Sequence, residues 1–245
     1  HSKWATIKHM KGATDAKRAK VFAKLIRQVE VAAREGGADP EMNPALRTMF
    51  QKARDQSVPL DTIEKAIKRG AGQLEGVAYE SITYEGYASG GVALLVDVLT
   101  DNRNRSGSDV RSVFTKRGGS VAEPGAVAWQ FDRKGTMLVD GSVAEDDLML
   151  AAIDAGAEDI TREGDYWRVT TGPTDLHAVR TAVEEAGYKV EESDLTMVAQ
   201  NLVTLDDKSA AKKVLDLVDA LDDLDDVQAV DGNFDITDDV LAELG

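Results

Sequence analysis

Apolar residues recur at intervals of three and four between Asp15 and Glu35, at Val21, Phe22, Leu25, Ile26, Val29, Ala32 and Ala33. This spacing predicts one long amphipathic helix. Thr14 or Asp15 can cap its start, and Gly36-Gly37 stops it. A second helix is predicted from Pro44 to about Gln56, with Asn43 as cap and proline at the first helical position, where its missing N–H costs nothing. Leu46, Met49, Phe50 and Ala53 fall on its inner face, and Arg47, Lys52 and Arg54 on its outer face. A third helix follows Pro59, with Asp61 as cap and Ile63, Ala66 and Ile67 inward, and ends at Gly70. Three such helices within about 60 residues predict a compact bundle.

Beyond Gly72 the period changes from helical to alternating. Tyr79–Glu85 and Val92–Leu99 read as strands joined by the turn GYASGG, Ser106–Arg117 as a helix and Val127–Asp132 as a strand. That ββαβ order is incomplete. Next come a strand over Gly135–Val139, a helix over Ala144–Ala155, strands over Asp159–Arg162 and Tyr166–Thr171, a helix over Thr174–Ala186 and a strand over Lys189–Met197. This is βαββαβ, the order of a ferredoxin-like sandwich. The helix Asp206–Leu224 and strand Val227–Val230 supply the αβ that the earlier segment lacks. The expected class is therefore α+β: an N-terminal three-helix bundle followed by two α/β, ferredoxin-like domains, the third inserted in the second. The expected bounds are 1–76 for the helices, 77–133 plus 205–245 for the discontinuous domain and 134–204 for the insertion. Three domains simply in a row fit the same element order.

Charge is distributed unevenly over this plan. Of 245 residues with a formal net charge of −15, His1–Gly72 hold 15 Lys/Arg against 8 Asp/Glu, Gln73–Gly135 hold 7 against 8, and Thr136–Gly245 hold 7 against 28. A cationic segment on an acidic chain attracts a polyanion locally without coating the whole molecule in it. Along the first helix, Lys17, Lys20, Lys24, Arg27 and Arg34 fall on one face, a stripe about 25 Å long at ~1.5 Å per residue, while Arg18 falls within the apolar arc. Lys65, Lys68 and Arg69 on the third helix add to the charge. Before the helices lies a basic arm with Lys3, Trp4, Lys8, His9 and Lys11. Trp4 can stack on a base there, or pack onto the bundle. Arg103 and Arg105, in the run Thr100–Arg105 between a strand and a helix, can grip phosphate at a helix N-terminus. The plainer use of that run is turn formation and capping by Asp101 and the asparagines.

Other chemistry finds little support. There is no apolar run of membrane-spanning length, and the start HSKWATIKHMKG carries no apolar core of a signal peptide, so a cytoplasmic location is expected. With no cysteine and only His1, His9 and His177, neither a disulfide framework nor a zinc site is expected. No GxSxG or GxxxxGK[ST] motif occurs. The turn at Gly86–Gly91 joins two strands, which makes it a poor phosphate cradle. The run Asp222, Asp223, Asp225, Asp226 and Asp231 lacks the ligand spacing of a calcium loop, with Val227 and Ala229 where acidic groups are needed, and reads as a solvated acidic face.

The segments HSKWATIKHMKGATDAKRAKVFAKLIRQVEVAAREGGADPEMNPALRTMFQKAR, PLDTIEKAIKRGAG, YEGYASGGVALLVDVLTDNRNRS and GAVAWQF closely resemble the YebC/PmpR family, to which the mitochondrial translational activator of cytochrome c oxidase belongs. The resemblance is specific up to about residue 135, looser afterwards, and of an actinobacterial-like kind. Met10 and Ser106 depart from the usual family pattern. The resemblance implies a helical first domain, two α/β domains with the third inserted in the second, no enzyme activity and no cofactor. It also implies a divided function, either DNA-binding transcriptional regulation or a translation factor on the ribosome. The family's basic first domain maps onto Lys3, Lys8, Lys11, Lys17, Lys20, Lys24 and Arg27. The expected partners are nucleic acid, as rRNA or tRNA on the ribosome or as promoter DNA, with no membrane and no small-molecule substrate. A sequence reader of DNA needs a recognition helix after a tight turn, and the Gly36–Asn43 link is long for one. A shaped cationic surface with a stacking group suits RNA better. A small-ligand module is a third possibility, since ferredoxin-like domains can hold ligands.

Overall fold

The computed structural model describes residues 15–244. Helix α1 spans Asp15–Gly36, α2 Pro44–Asp55 and α3 Leu60–Gly70. They enclose Leu25, Val29, Leu46, Ala53, Val58, Ile63 and Ala66. Asn43 does more than cap α2. Its Oδ1 accepts from the Leu46 N–H at 3.1 Å, and its amide donates to the carbonyls of Ala32 at 2.8 Å and Gly37 at 2.9 Å. One buried amide therefore joins the end of α1 to the start of α2. Asp61 does not cap α3. The cap residue is Pro59, and Asp61 lies inside the first turn, where its charge favours the helix dipole instead.

Contacts divide the described chain into two units, one of residues 77–132 and 197–244, the other of residues 15–76 and 133–196. In the first, β1 (Glu80–Tyr87), β2 (Ala93–Thr100), β3 (Ser120–Ala122) and β9 (Val227–Gly232) form a sheet in the order β3-β1-β2-β9. Strand β2 is buried on both faces over most of its length, which explains the apolar run Ala93–Val96, with the half-buried Asp97 as the one charged interruption. Leu94, Val96 and Val98 meet α4 (Arg103–Lys116) and α7 (Lys208–Asp222) through Phe114, Val214 and Leu217. Ala93 and Leu95 meet Val127 and Phe131 on the other face. A parallel pair, β8 (Val203–Leu205) with β10 (Phe234–Ile236), and helix α8 (Asp238–Leu244) complete this unit.

In the second unit, β4 (Phe131–Asp140), α5 (Glu145–Ala152), β5 (Ala157–Glu163), β6 (Tyr166–Thr171), α6 (Leu176–Glu185) and β7 (Val190–Ala199) give the βαββαβ order with strands arranged β5-β6-β4-β7. The strands expected separately at Val127–Asp132 and Gly135–Val139 are one strand, β4, preceded by a short 3-10 turn at Ala128–Gln130. The three helices group with this insertion because α2 and α6 are joined through a buried ion pair. Arg180 donates to both oxygens of Asp55, at 2.6 and 2.8 Å.

Candidate nucleic-acid interface

The basic arm residues Lys3, Trp4, Lys8 and Lys11 lie outside the described residues. Helix α1 places Leu25, Val29, Ala32 and Ala33 in the core. Lys17 and Lys20 are exposed, and Lys24 and Arg27 continue the same face half-buried. This is the geometry expected of long cationic side chains that lie their methylenes on the bundle and hold their charge at its surface. On α3, Lys65 and Lys68 are exposed, with Lys65 Nζ 4.0 Å from Asp61, a spacing of little energetic consequence at a solvated surface.

Arg69 has a different environment. Its Nε lies 3.1 Å from Oε2 of Glu30, a residue only 4% exposed, and Arg34 reaches Oε1 of the same carboxylate at 3.3 Å. Glu30 sits on the apolar side of α1, a place the periodicity gives to core residues, and Arg69 keeps its charge compensated there. Arg69 is thus a brace between α3 and α1.

Arg103 and Arg105 belong to the other unit and stand in the first turn of α4. Asn102 caps that helix through the Arg105 N–H at 3.0 Å. The anion that a helix start favours is supplied from within the chain. Asp226 accepts from Ser106 Oγ at 2.6 Å, Thr100 Oγ1 at 3.2 Å and Arg105 Nη2 at 2.9 Å. Arg105 also meets Asp101 at 2.7 Å, and Arg103 meets Glu80 at 2.6 Å. Hydrogen bonds that Arg105 donates to Asp226 and then to Asp101 raise its guanidinium pKa above the ordinary value. The capping use of the Thr100–Arg105 run is present, and the arginines expected to hold phosphate hold carboxylates. The acidic run is likewise not wholly solvated, since Asp226 and Asp231 are 9% and 7% exposed.

Two features escaped the sequence reading. A cavity of about 410 Å³ lies between α2 and α6, lined by Arg47, Gln51, His177, Arg180, Glu184 and Glu185 among others. Trp129 is 68% exposed, although it lies in an otherwise apolar segment. Among the described residues no three His, Cys, Asp or Glu side chains are placed to hold a metal, and no helix is long and apolar enough to cross a membrane.

Comparison with known proteins bears on the whole chain. A family model described as the TACO1/YebC protein N-terminal domain matches residues 2–73, and one described as the TACO1/YebC second and third domain matches residues 79–234. A probable transcriptional regulatory protein of Rubrobacter xylanophilus is 55% identical over all of this chain and 98% of its own. One of Halothermothrix orenii with the same description is 53% identical with the same coverage. The crystal structure of a conserved hypothetical protein from Aquifex aeolicus superposes with a TM-score of 0.84 at 45% identity, over 91% of this chain and 93% of that one. Two family models matched in chain order, relatives aligned from end to end and a shared three-dimensional structure converge on one conclusion: the chain belongs to the TACO1/YebC family.

Proposed function

We propose that this protein is a non-enzymatic regulator of gene expression that binds nucleic acid through its basic helical segment, as an RNA- or ribosome-associated translation factor. The observation that carries the reading is the cationic face of α1. Lys17 and Lys20 are exposed there, Lys24 and Arg27 extend the face, and Lys65 and Lys68 are exposed on α3. Residues 136–245, by contrast, hold 28 acidic and 7 basic residues. Phosphate backbone is drawn to the first region and repelled by the second. Arg69, Arg103 and Arg105 are engaged by acidic partners inside the chain.

RNA is favoured over DNA by the link between α1 and α2. Residues 37–43 join them, with Asn43 bonded back to Ala32 and Gly37. A DNA-reading helix-turn-helix sets its second helix after a tighter turn. The second reading is a DNA-binding transcriptional regulator. It rests on the description shared by the Rubrobacter and Halothermothrix relatives, probable transcriptional regulatory protein.

Sedimentation of ribosomes from lysate separates the two. Tagged protein that pellets with ribosomes, and stays in the supernatant once Lys17, Lys20 and Lys24 are changed to Glu, supports the translation reading. Protein that leaves ribosomes untouched while protecting a discrete stretch of promoter DNA supports the transcription reading.

A further inference from the structure

We propose that Trp129, with the neighbouring carboxylate of Asp132, is a receptor for an arginine side chain on a basic, extended segment of a protein partner. Trp129 is the most exposed aromatic side chain among the described residues. Its place is fixed by three separate restraints. Glu85, buried in β1, accepts the backbone N–H groups of Gly125, Val127 and Ala128 at 2.5, 2.9 and 2.6 Å. Val127 and Phe131, on either side of the tryptophan, are buried against Ala93 and Leu95. The indole Nε1–H donates to the Ala126 carbonyl at 3.1 Å. The indole therefore has its one polar group engaged and its ring exposed, on a loop held rigid from beneath. Rigid, amphipathic aromatic area of this kind anchors protein interfaces at low entropic cost.

The surroundings specify the occupant. Gln200 Nε2 lies 3.4 Å from the Trp129 carbonyl and 3.3 Å from Oδ1 of Asp132, so the carboxylate is bridged to the same loop. Asp132 is exposed, as is Glu123 where the loop begins. Residues 77–132 and 197–245 together hold 20 acidic against 8 basic residues. An exposed indole face on a strongly negative unit, with the Asp132 carboxylate tied through Gln200 to the tryptophan's own backbone carbonyl, selects a cation. That same charge repels phosphate, which disfavours a nucleic-acid base as the occupant. The chain already makes this contact internally in its other unit. There the Trp167 indole donates to the Val143 carbonyl at 2.8 Å, and the guanidinium of Arg162 lies 5.0 Å from the ring centre. Trp129 repeats the first half of that arrangement, and among the described residues no cation caps its face.

The test uses the full chain, labelled with nitrogen-15, and follows the indole N–H resonance of Trp129, identified by its loss in Trp129→Phe. The probes are an end-blocked peptide of alternating arginine and glycine, its lysine counterpart and oligouridine. The expected result is a saturable shift of the Trp129 resonance with the arginine peptide and a smaller one with lysine. Affinity for the arginine peptide should fall at least tenfold in Trp129→Ala, and Asp132→Asn should weaken it too, with the folded spectrum retained in both. A Trp129 resonance that stays still while other signals move, or an affinity unchanged in Trp129→Ala, would mean only diffuse attraction to the acidic surface and overturn the proposal. An equal or larger shift with oligouridine would overturn it in favour of a base-stacking platform.

Discussion

Arg180 and Asp55 stand 125 residues apart in sequence and share two hydrogen bonds, of 2.6 and 2.8 Å, with side chains 9% and 7% exposed. Arg180 Nη1 also donates to Ser193 Oγ at 2.7 Å and its Nε to Glu184 at 2.6 Å. Burial alone lowers the guanidinium pKa, but the hydrogen bonds and charges of Asp55 and Glu184 outweigh it and raise the value, so the pair remains ionic. Lys52 adds a second link, 2.6 Å from Asp194. Truncating one partner leaves the other charge buried. Asp55→Ala or Arg180→Ala should therefore each cost about 3–5 kcal/mol in urea unfolding, and the double variant less than their sum.

Glu85 gives the first unit a dependence on acid. Burial raises its pKa, but the N–H groups of Gly125, Val127 and Ala128 outweigh this and hold it below the ordinary 4.5. A depressed carboxylate pKa contributes stability that is fully present above the unfolded-state value and is lost as pH falls through the folded-state value. Glu85→Gln should destabilise the protein at pH 7 by about 1–3 kcal/mol, since an amide cannot accept all three bonds as well. The gap between the two proteins should narrow as pH drops below 4.5. Chemical denaturation across that range measures both effects.

Gly70 ends α3 against the backbone of α1. A methyl group there would run into the Glu30 carbonyl and the Ala33 side chain. Gly70→Ala should destabilise the helices by about 1–3 kcal/mol, despite the better helix propensity of alanine. A thermal melt followed by circular dichroism would show the loss as a lower midpoint.

Arg105 and Lys20 should differ in their effect on nucleic-acid binding. Arg105→Gln removes a donor to Asp226 and Asp101 and should lower the melting temperature without changing affinity for nucleic acid. Lys20→Gln should weaken that binding, read as a lower affinity in a titration with nucleic acid.

The helices of the bundle were legible because Pro44, Gly36-Gly37 and Gly70 punctuate a strong 3.6-residue period, and the βαββαβ order was legible from alternation. Strand β4 was not, because the charged run Asp132, Arg133 and Lys134 interrupts the apolar pattern and divides it into two expected strands, Val127–Asp132 and Gly135–Val139. Those residues run through an extended strand whose buried face resumes at Gly135. Strands β8 and β10, of three residues each, are too short to show a period, and α8 begins in an Asp-rich run that resembles a solvated tail. The roles of Glu30, Asp55, Glu85 and Asp226 depend on partners distant in the chain, so no local pattern marks them as buried. The charge of α1 was legible, whereas the engagement of Arg69 and Arg105 was not: sign is written in sequence, but pairing is written in the fold.

In the proposed interface, phosphates meet the face of α1. The salt dependence of binding to RNA, with the unmodified chain and with Lys17, Lys20 and Lys24 all changed to Glu, tests it most directly. About five phosphate contacts predict a log–log slope near −4 for the unmodified chain, and no measurable binding by the folded triple variant. A slope near zero, or a triple variant that binds as well as the original, would contradict the account.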